Sequence, residues 1–520
     1  MHPFRSSVLM LLALLSAPIA SAQDQHGQGH PGRAGQATQA KPADNASHGP
    51  GVLRLLPPDA VSEKEITLGG RKIAYTATAG TLALFDQNGE KTAAVFYTAY
   101  VAKDADVARR PLTFAFNGGP GAASAYINLG FAGPRIARFG ASGRDGADPT
   151  LVDNPDSWLA FTDLVMIDPI GTGWSRTAKP DDAKNFYGVR SDASVIAKVI
   201  ALYIAKNSRN ASPKYLLGES YGGFRAGKVA SALQRDQGTV ITGIVMVSPL
   251  LEAAFQWSGS QTALGAALQF PTYVATELER TKKYTPEAMA QAERFALNEY
   301  LPAMAGSAPT GDKAAAFYGR VAELTGLSVD AVAKSRGFIR NAYLQHLRAN
   351  GQTVSSYDAT FTVPDPYPES ERRSGGDAIL DGFSRALSGV YVAYARDELG
   401  FKTDMTYNLL ASDVSSKWDW GDRREPPGVS DDLRELLAFN PSFHVLVVHG
   451  RTDFVTPYGV SRYVLDHIPT MTPKGPDSKD SEAPDRVQLK LYRGGHMFYF
   501  DAHSRADFTA DAKNFYQTPP

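Results

Sequence analysis

The 520-residue chain contains no cysteine. That excludes disulfides, thiol nucleophiles, thiolate-held zinc and iron–sulfur clusters, and leaves stability to a packed core. There is no charge excess either: 53 Lys and Arg against 54 Asp and Glu give a formal net charge of −1. No global electrostatic case exists for nucleic acid or an anionic membrane surface. No His, Asp and Glu cluster has metal-ligand spacing, and no cofactor is expected. Gly222 to Lys228 has the form G-x-x-x-x-G-K, but Val229 stands where a phosphate loop needs Ser or Thr. Gly171-Thr172-Gly173 opens a dinucleotide fingerprint, and Arg176 occupies the place of its third glycine. Long apolar runs are missing too. Val8 to Leu15 is too short for a membrane span. With Arg5 before it and Ala20-Ser21-Ala22 after it, Met1 to Ala22 reads as a secretory signal. The mature chain is therefore expected to be exported, periplasmic or secreted, with no integral membrane segment.

What is present is ample apolar material, 43% of residues, enough for a large core. Gln23 to Gly51 has almost no large apolar side chains and reads as a disordered linker. From residue 52 onward strand patterns begin. Ile66 to Val101 alternates around turns at Gly69-Gly70 and Asn88-Gly89, predicting antiparallel strands. Core strands are expected at Leu112 to Phe116, Leu164 to Ile167, Tyr215 to Leu217, Ile241 to Val247, Val445 to Val448 and Val487 to Tyr492. Helical patterns lie between several of them, such as Ala193 to Ala205 with Ser191 or Asp192 as cap. That alternation predicts an α/β fold, a mostly parallel sheet with helices on both faces. Phe255 to about Leu436 breaks the rhythm. It includes a helix from Pro286 capped by Thr285 and reads as a largely helical insertion, a cap over the ligand-binding edge.

Gly218-Glu219-Ser220-Tyr221-Gly222 lies between an apolar run and a helical pattern beginning at Phe224. This is the form of a nucleophile elbow, in which glycines are required because a Cβ would clash where the chain reverses. A serine needs a base, and the base a carboxylate to orient it. Of the ten histidines, His496 is the one in a glycine loop directly after a strand, Arg493-Gly494-Gly495-His496-Met497. In this fold the acid falls between serine and histidine. Asp453, in the turn Gly450-Arg451-Thr452-Asp453 leaving a strand, fits. The predicted triad is Ser220, Asp453 and His496. Amide donors for an oxyanion are expected from Tyr221 and from the loop Asn117-Gly118-Gly119-Pro120-Gly121.

Together these residues resemble the serine carboxypeptidase family of the α/β-hydrolase fold. The matching segments also include Asp168-Pro169-Ile170-Gly171-Thr172-Gly173-Trp174-Ser175, and Asn154-Pro155 with Trp158, all in family order over roughly residues 60 to 510. The resemblance implies that the Gly119 and Tyr221 amides form the oxyanion hole, and that Asn117 and Glu219 bind the terminal carboxylate of a peptide substrate. Two carboxylates can share a hydrogen bond only if one is protonated, so acidic pH is expected to favour binding. The chain departs from the family's pattern at Ala115, often Trp; at Ala122 and Ala123, where a cysteine is common; at Arg451, often acidic; and at Thr456-Pro457, often Cys-Asn. Ala115 and Arg451 are expected to flank the substrate groups. The leading reading is an exported exopeptidase acting on peptides with a free C-terminus. An esterase or acyltransferase with the same triad is the alternative, and a catalytically inactive binding protein a third.

Overall fold

The structure is a computed structural model that describes residues 49–517 apart from 104, 142, 349–350, 370–375, 423 and 470–485. The expected signal and all but the last residues of the expected linker lie outside the described residues. Among those described, no helix is long and apolar enough to cross a membrane.

In chain order the strands are β1 (Ala60–Leu68), β2 (Arg71–Phe85), β3 (Lys91–Ala102), β4 (Leu112–Phe116), β5 (Arg135–Phe139), β6 (Pro149–Asp153), β7 (Asp163–Ile167), β8 (Arg176–Thr177), β9 (Lys214–Glu219), β10 (Gly243–Val247), β11 (Gln352–Val354), β12 (Thr362–Pro364), β13 (His444–Gly450) and β14 (Val487–Tyr492). The main sheet runs β1-β2-β3-β7-β4-β9-β10-β13-β14, with β8 paired to β3. β1, β2, β3 and β7 pair antiparallel in succession. From β7 to β14 every pairing is parallel.

The pleat sends successive side chains to opposite faces. Tyr215, Leu217, Val245, Val247, Leu446 and Val448 enter one core, while Leu216, Ile244, Met246, Val445 and Val447 enter the other. A parallel sheet must be covered on both faces. Helices Val189–Lys206 and Tyr221–Gln237 cover the second face, and Ala502–Gln517 packs on the first.

Two local expectations need correction or refinement. The helix predicted from Ala193 starts at Val189 with Gly188 as N-cap. Ser191 and Asp192 lie in its first turn, and Asp192 is drawn inward by an ion pair with Arg225. The helix at Pro286 does begin as expected, with the Thr285 hydroxyl accepting from the Ala288 N–H at 3.1 Å.

Between β10 and β13 the chain leaves the sheet, and this excursion divides in two. Helices Ala263–Arg280, Pro286–Phe295, Gly311–Thr325 and Arg340–Arg348 enclose an apolar core of their own, which also takes Phe454 and Tyr458 from beyond β13. Phe383, Leu387, Tyr391, Phe401 and Tyr407 instead rejoin the main core. Only the earlier part is a separate helical layer.

β4, β9 and β10 end within one residue of one another, and β13 and β14 run two residues further. Phe116 pairs with Gly218, Val247 with both Glu219 and Val448, and Gly450 with Tyr492. The loops leaving these carboxyl ends converge, which is where ligands bind in such sheets.

Candidate active site

Ser220 sits between β9 and the helix Tyr221–Gln237 with φ 61° and ψ −126°. A non-glycine residue there carries on the order of 1–3 kcal/mol of strain. Its backbone is pinned to β10: the Ser220 N–H donates to Val247 O at 2.8 Å, and its carbonyl accepts from Leu250 N–H at 3.2 Å. A Cβ at Gly218 would fall 1.9 Å from Gly222 O, so the turn excludes any side chain there. Tyr221 is the first helical residue, so its N–H has no acceptor within the helix.

The loop after β4 packs directly on this elbow. A Cβ at Gly118 would lie 2.5 Å from the Tyr221 nitrogen and 2.6 Å from that of Gly222. Gly119 follows at φ +99°. The excursion braces the loop: Ala123 N–H donates to Leu409 O at 2.9 Å, and Ala411 N–H to Gly121 O at 2.8 Å. The Asp168 motif braces it from below, Asp168 Oδ1 accepting from Ser124 N–H at 2.7 Å.

The fold brings His496 and Asp453 together. The His496 Nδ1 lies 2.7 Å from Asp453 Oδ2. Asp453 Oδ1 accepts from the N–H groups of Val455 (2.8 Å) and Thr456 (3.0 Å). The Thr456 hydroxyl lies 2.6 Å from Asp453 Oδ2, 2.9 Å from Ser248 O and 3.0 Å from His496 Nδ1. Burial would raise the Asp453 carboxyl, but the His496 ring and the Thr456 donors outweigh it and hold the carboxyl below its usual range. Burial would lower the His496 ring, and the carboxylates of Asp453 and Glu219 outweigh that and raise it. The main chain of His496 is fixed by Tyr357 O, 2.5 Å from its N–H, and by the Ser248 hydroxyl, 2.8 Å from its carbonyl. The other strand-end histidine, His449, is engaged elsewhere, 2.8 Å from the Ser461 hydroxyl, and burial pushes its pKa down to about 4.

Glu219 is buried beside the elbow. Asn117 Nδ2 donates to its Oε2, and the Tyr499 hydroxyl to its Oε1 at 2.8 Å. Asn117 is oriented in turn by Ile127 N–H, 3.1 Å from its Oδ1. Burial pushes the Glu219 carboxyl up to about 7, against the downward pull of His496, Tyr499 and Asn117.

Sequence reasoning missed several contributors. Tyr499 lies only three residues beyond His496, but nothing marked its hydroxyl as a partner of Glu219. Arg225 is fully buried, donates to the Asn117 carbonyl, and pairs with Asp192 at 2.6 Å. Tyr357 comes from the excursion and stands edge-on to His496 at 5.4 Å. Arg451, expected to flank substrate groups, turns away: it donates to Leu491 O at 3.0 Å and lies 4.7 Å over the Tyr284 ring. Ala115 is fully buried in β4 and faces the core. Among the described residues no group of three or more His, Asp or Glu could hold a metal ion.

A mostly parallel sheet, an elbow serine after β9 and a His–Asp pair on the later strand ends define an α/β hydrolase. The solved Kex1, a prohormone-processing carboxypeptidase of Saccharomyces cerevisiae, shares this fold with a TM-score of 0.53 and 16% identity, over 85% of this chain and 91% of that one. Residues 75–317 match the family model described as serine carboxypeptidase. The serine carboxypeptidase ctsa-3.2 of Caenorhabditis elegans is 30% identical over 156 residues, 29% of this chain. The match spans only 28% of that relative's length. Over residues 75–317, under half of its length, the chain is similar to serine carboxypeptidases.

Proposed function

We propose that this protein is an exported serine carboxypeptidase that releases C-terminal residues from peptides through an acyl-enzyme, favoured at acidic pH. Export rests on the Met1 to Ala22 pattern. The observation that carries the peptidase reading is Glu219, a buried carboxyl held by Asn117 and Tyr499 one residue before the nucleophile. Protonated, such a group donates a hydrogen bond to a substrate carboxylate while Asn117 supports it.

Ser220 Oγ attacks the carbonyl carbon of the last peptide bond, and its proton passes to His496 Nε2. Asp453 holds the ring through Nδ1 and stabilises the imidazolium. The N–H groups of Gly119 and Tyr221 stabilise the developing oxyanion. His496 then protonates the leaving amine, the C–N bond breaks, and water deacylates Ser220 by the same route reversed.

Glu219 raises the proton affinity of His496, and His496 lowers that of Glu219, so each favours the other's charged form. The productive pair is protonated Glu219 with neutral His496. It binds as many protons as the carboxylate–imidazolium pair, so the substrate's own carboxylate, which repels ionised Glu219, selects it.

The test compares an N-blocked dipeptide bearing a free C-terminus with its C-terminal amide. A hydrogen bond to a charged group is worth about 1.5–3 kcal/mol, so kcat/KM should favour the free acid roughly tenfold to a hundredfold. Equal rates on both would overturn the carboxypeptidase assignment in favour of a hydrolase indifferent to the chain end.

A further inference from the structure

A hollow of about 400 Å³ opens beside the acid turn, its walls including Gln256, Trp257, Arg340, Ser356, Phe454 and Val455. Several of its lining residues connect to the predicted triad through a neighbour. The Val455 N–H donates to Asp453, and Gln256 Nε2 donates to the Val455 carbonyl. Ser356 directly precedes Tyr357, whose ring packs on His496. Trp257 stands edge-on to Trp420 at 5.3 Å, and Trp420 edge-on to Tyr221 at 5.5 Å. None of the groups that hold Glu219, namely Asn117 and Tyr499, lines it.

Its charge comes from Arg340, half-buried at the start of the helix Arg340–Arg348. The guanidinium donates to Gln269 Oε1 at 3.0 Å and to Phe454 O at 3.4 Å, both neutral acceptors. Arg348 and Arg462 each have a carboxylate partner, Asp365 and Glu293. Among the described residues Arg340 has no such partner. A guanidinium carries five N–H donors, so donors remain for a ligand, and a cation withdrawn from water gains most from an anion.

We propose that Arg340 makes this hollow a subsite for an acidic side chain, glutamate or aspartate, of the substrate residue on the acyl side of the scissile bond. This rests on the carboxypeptidase reading: the terminal carboxylate occupies the Asn117–Glu219 side, so the acyl-side residue is the one directed to the acid turn. The subsite adds selection by charge to recognition of the chain end.

The test uses N-blocked dipeptides with free C-termini that share one C-terminal residue and carry Glu, Gln, Leu or Lys before it. With the wild-type protein, kcat/KM for Glu should exceed that for the isosteric Gln by roughly tenfold or more, the worth of one hydrogen bond between charged groups, with Lys poorest. Arg340→Gln should bring the Glu-to-Gln ratio near one. Arg340→Lys, which keeps the charge but not the planar fork, should retain part of it. A ratio of two rates on one preparation does not move if the substitution merely lowers the folded fraction. Cleavage of the Leu peptide with no preference for Glu over Gln would overturn the subsite and leave the carboxypeptidase reading standing. A ratio unchanged in Arg340→Gln would do the same. Failure to cleave any free acid would overturn both.

Discussion

Replacing Glu219 by Gln separates recognition of the chain end from catalysis. The substitution keeps shape and donor capacity but removes the proton that the carboxyl loses as pH rises. Burial places the wild-type group at about 7. The protonated, binding-competent fraction then falls from about nine-tenths at pH 6 to about one-tenth at pH 8, so KM for a free-acid peptide should rise about tenfold over that interval. An ester or amide of the same acyl group, lacking the terminal carboxylate, should show no such rise. In Glu219→Gln the KM slope for the free acid should vanish. The acid limb of kcat should also shift to lower pH, because the carboxylate that raises His496 is gone.

The same group carries a stability signature. A carboxyl whose pKa is raised on folding stabilises the native state fully below its unfolded value. It loses that contribution as pH rises through the folded one. Moving from 4.5 to about 7 corresponds to about 3 kcal/mol. Denaturant unfolding of Glu219→Gln should therefore show a gain over wild type near pH 8 that disappears near pH 4. Retention in Glu219→Gln of the wild-type pH dependence of KM for the free acid would refute the role given to Glu219, whatever the stability curve does.

Two further outcomes follow from the neighbouring shells. Thr456→Val removes a hydroxyl that contacts Asp453 Oδ2 and Ser248 O; kcat/KM should fall about tenfold or more, and the acid limb should move to higher pH as Asp453 becomes more basic. An unchanged pH profile would show that Thr456 only packs. Arg225→Met leaves Asp192 buried without its partner, which should cost about 3–5 kcal/mol. Because Asp192 is already raised by burial, the loss in denaturant melts should be greater at pH 8 than at pH 4.

The chemistry-bearing loops were legible from local residue patterns. A short apolar run followed by glycines around Ser220 has few other solutions than a strand, a tight turn and a helix. Residue order then singled out Asp453 and His496 from many carboxylates and ten histidines. The sheet was legible for the same reason: β4, β9, β10 and β13 are apolar on both faces, as buried parallel strands must be.

What surrounds those loops emerged from the folded arrangement. The contacts of Tyr357, Arg340 and Leu409 with the site span from about one hundred to nearly three hundred residues of sequence, and local patterning carries no information about them. It likewise could not show that Phe383 to Tyr407 rejoins the main core, since an apolar side chain looks the same whichever core it enters. Arg225 is held inside by Asp192 and the Asn117 carbonyl, partners that only folding places beside it. The pKa of Glu219 is the clearest case. Its identity is local, but its protonation is set by burial among Asn117, Tyr499 and His496, groups that only folding brings together.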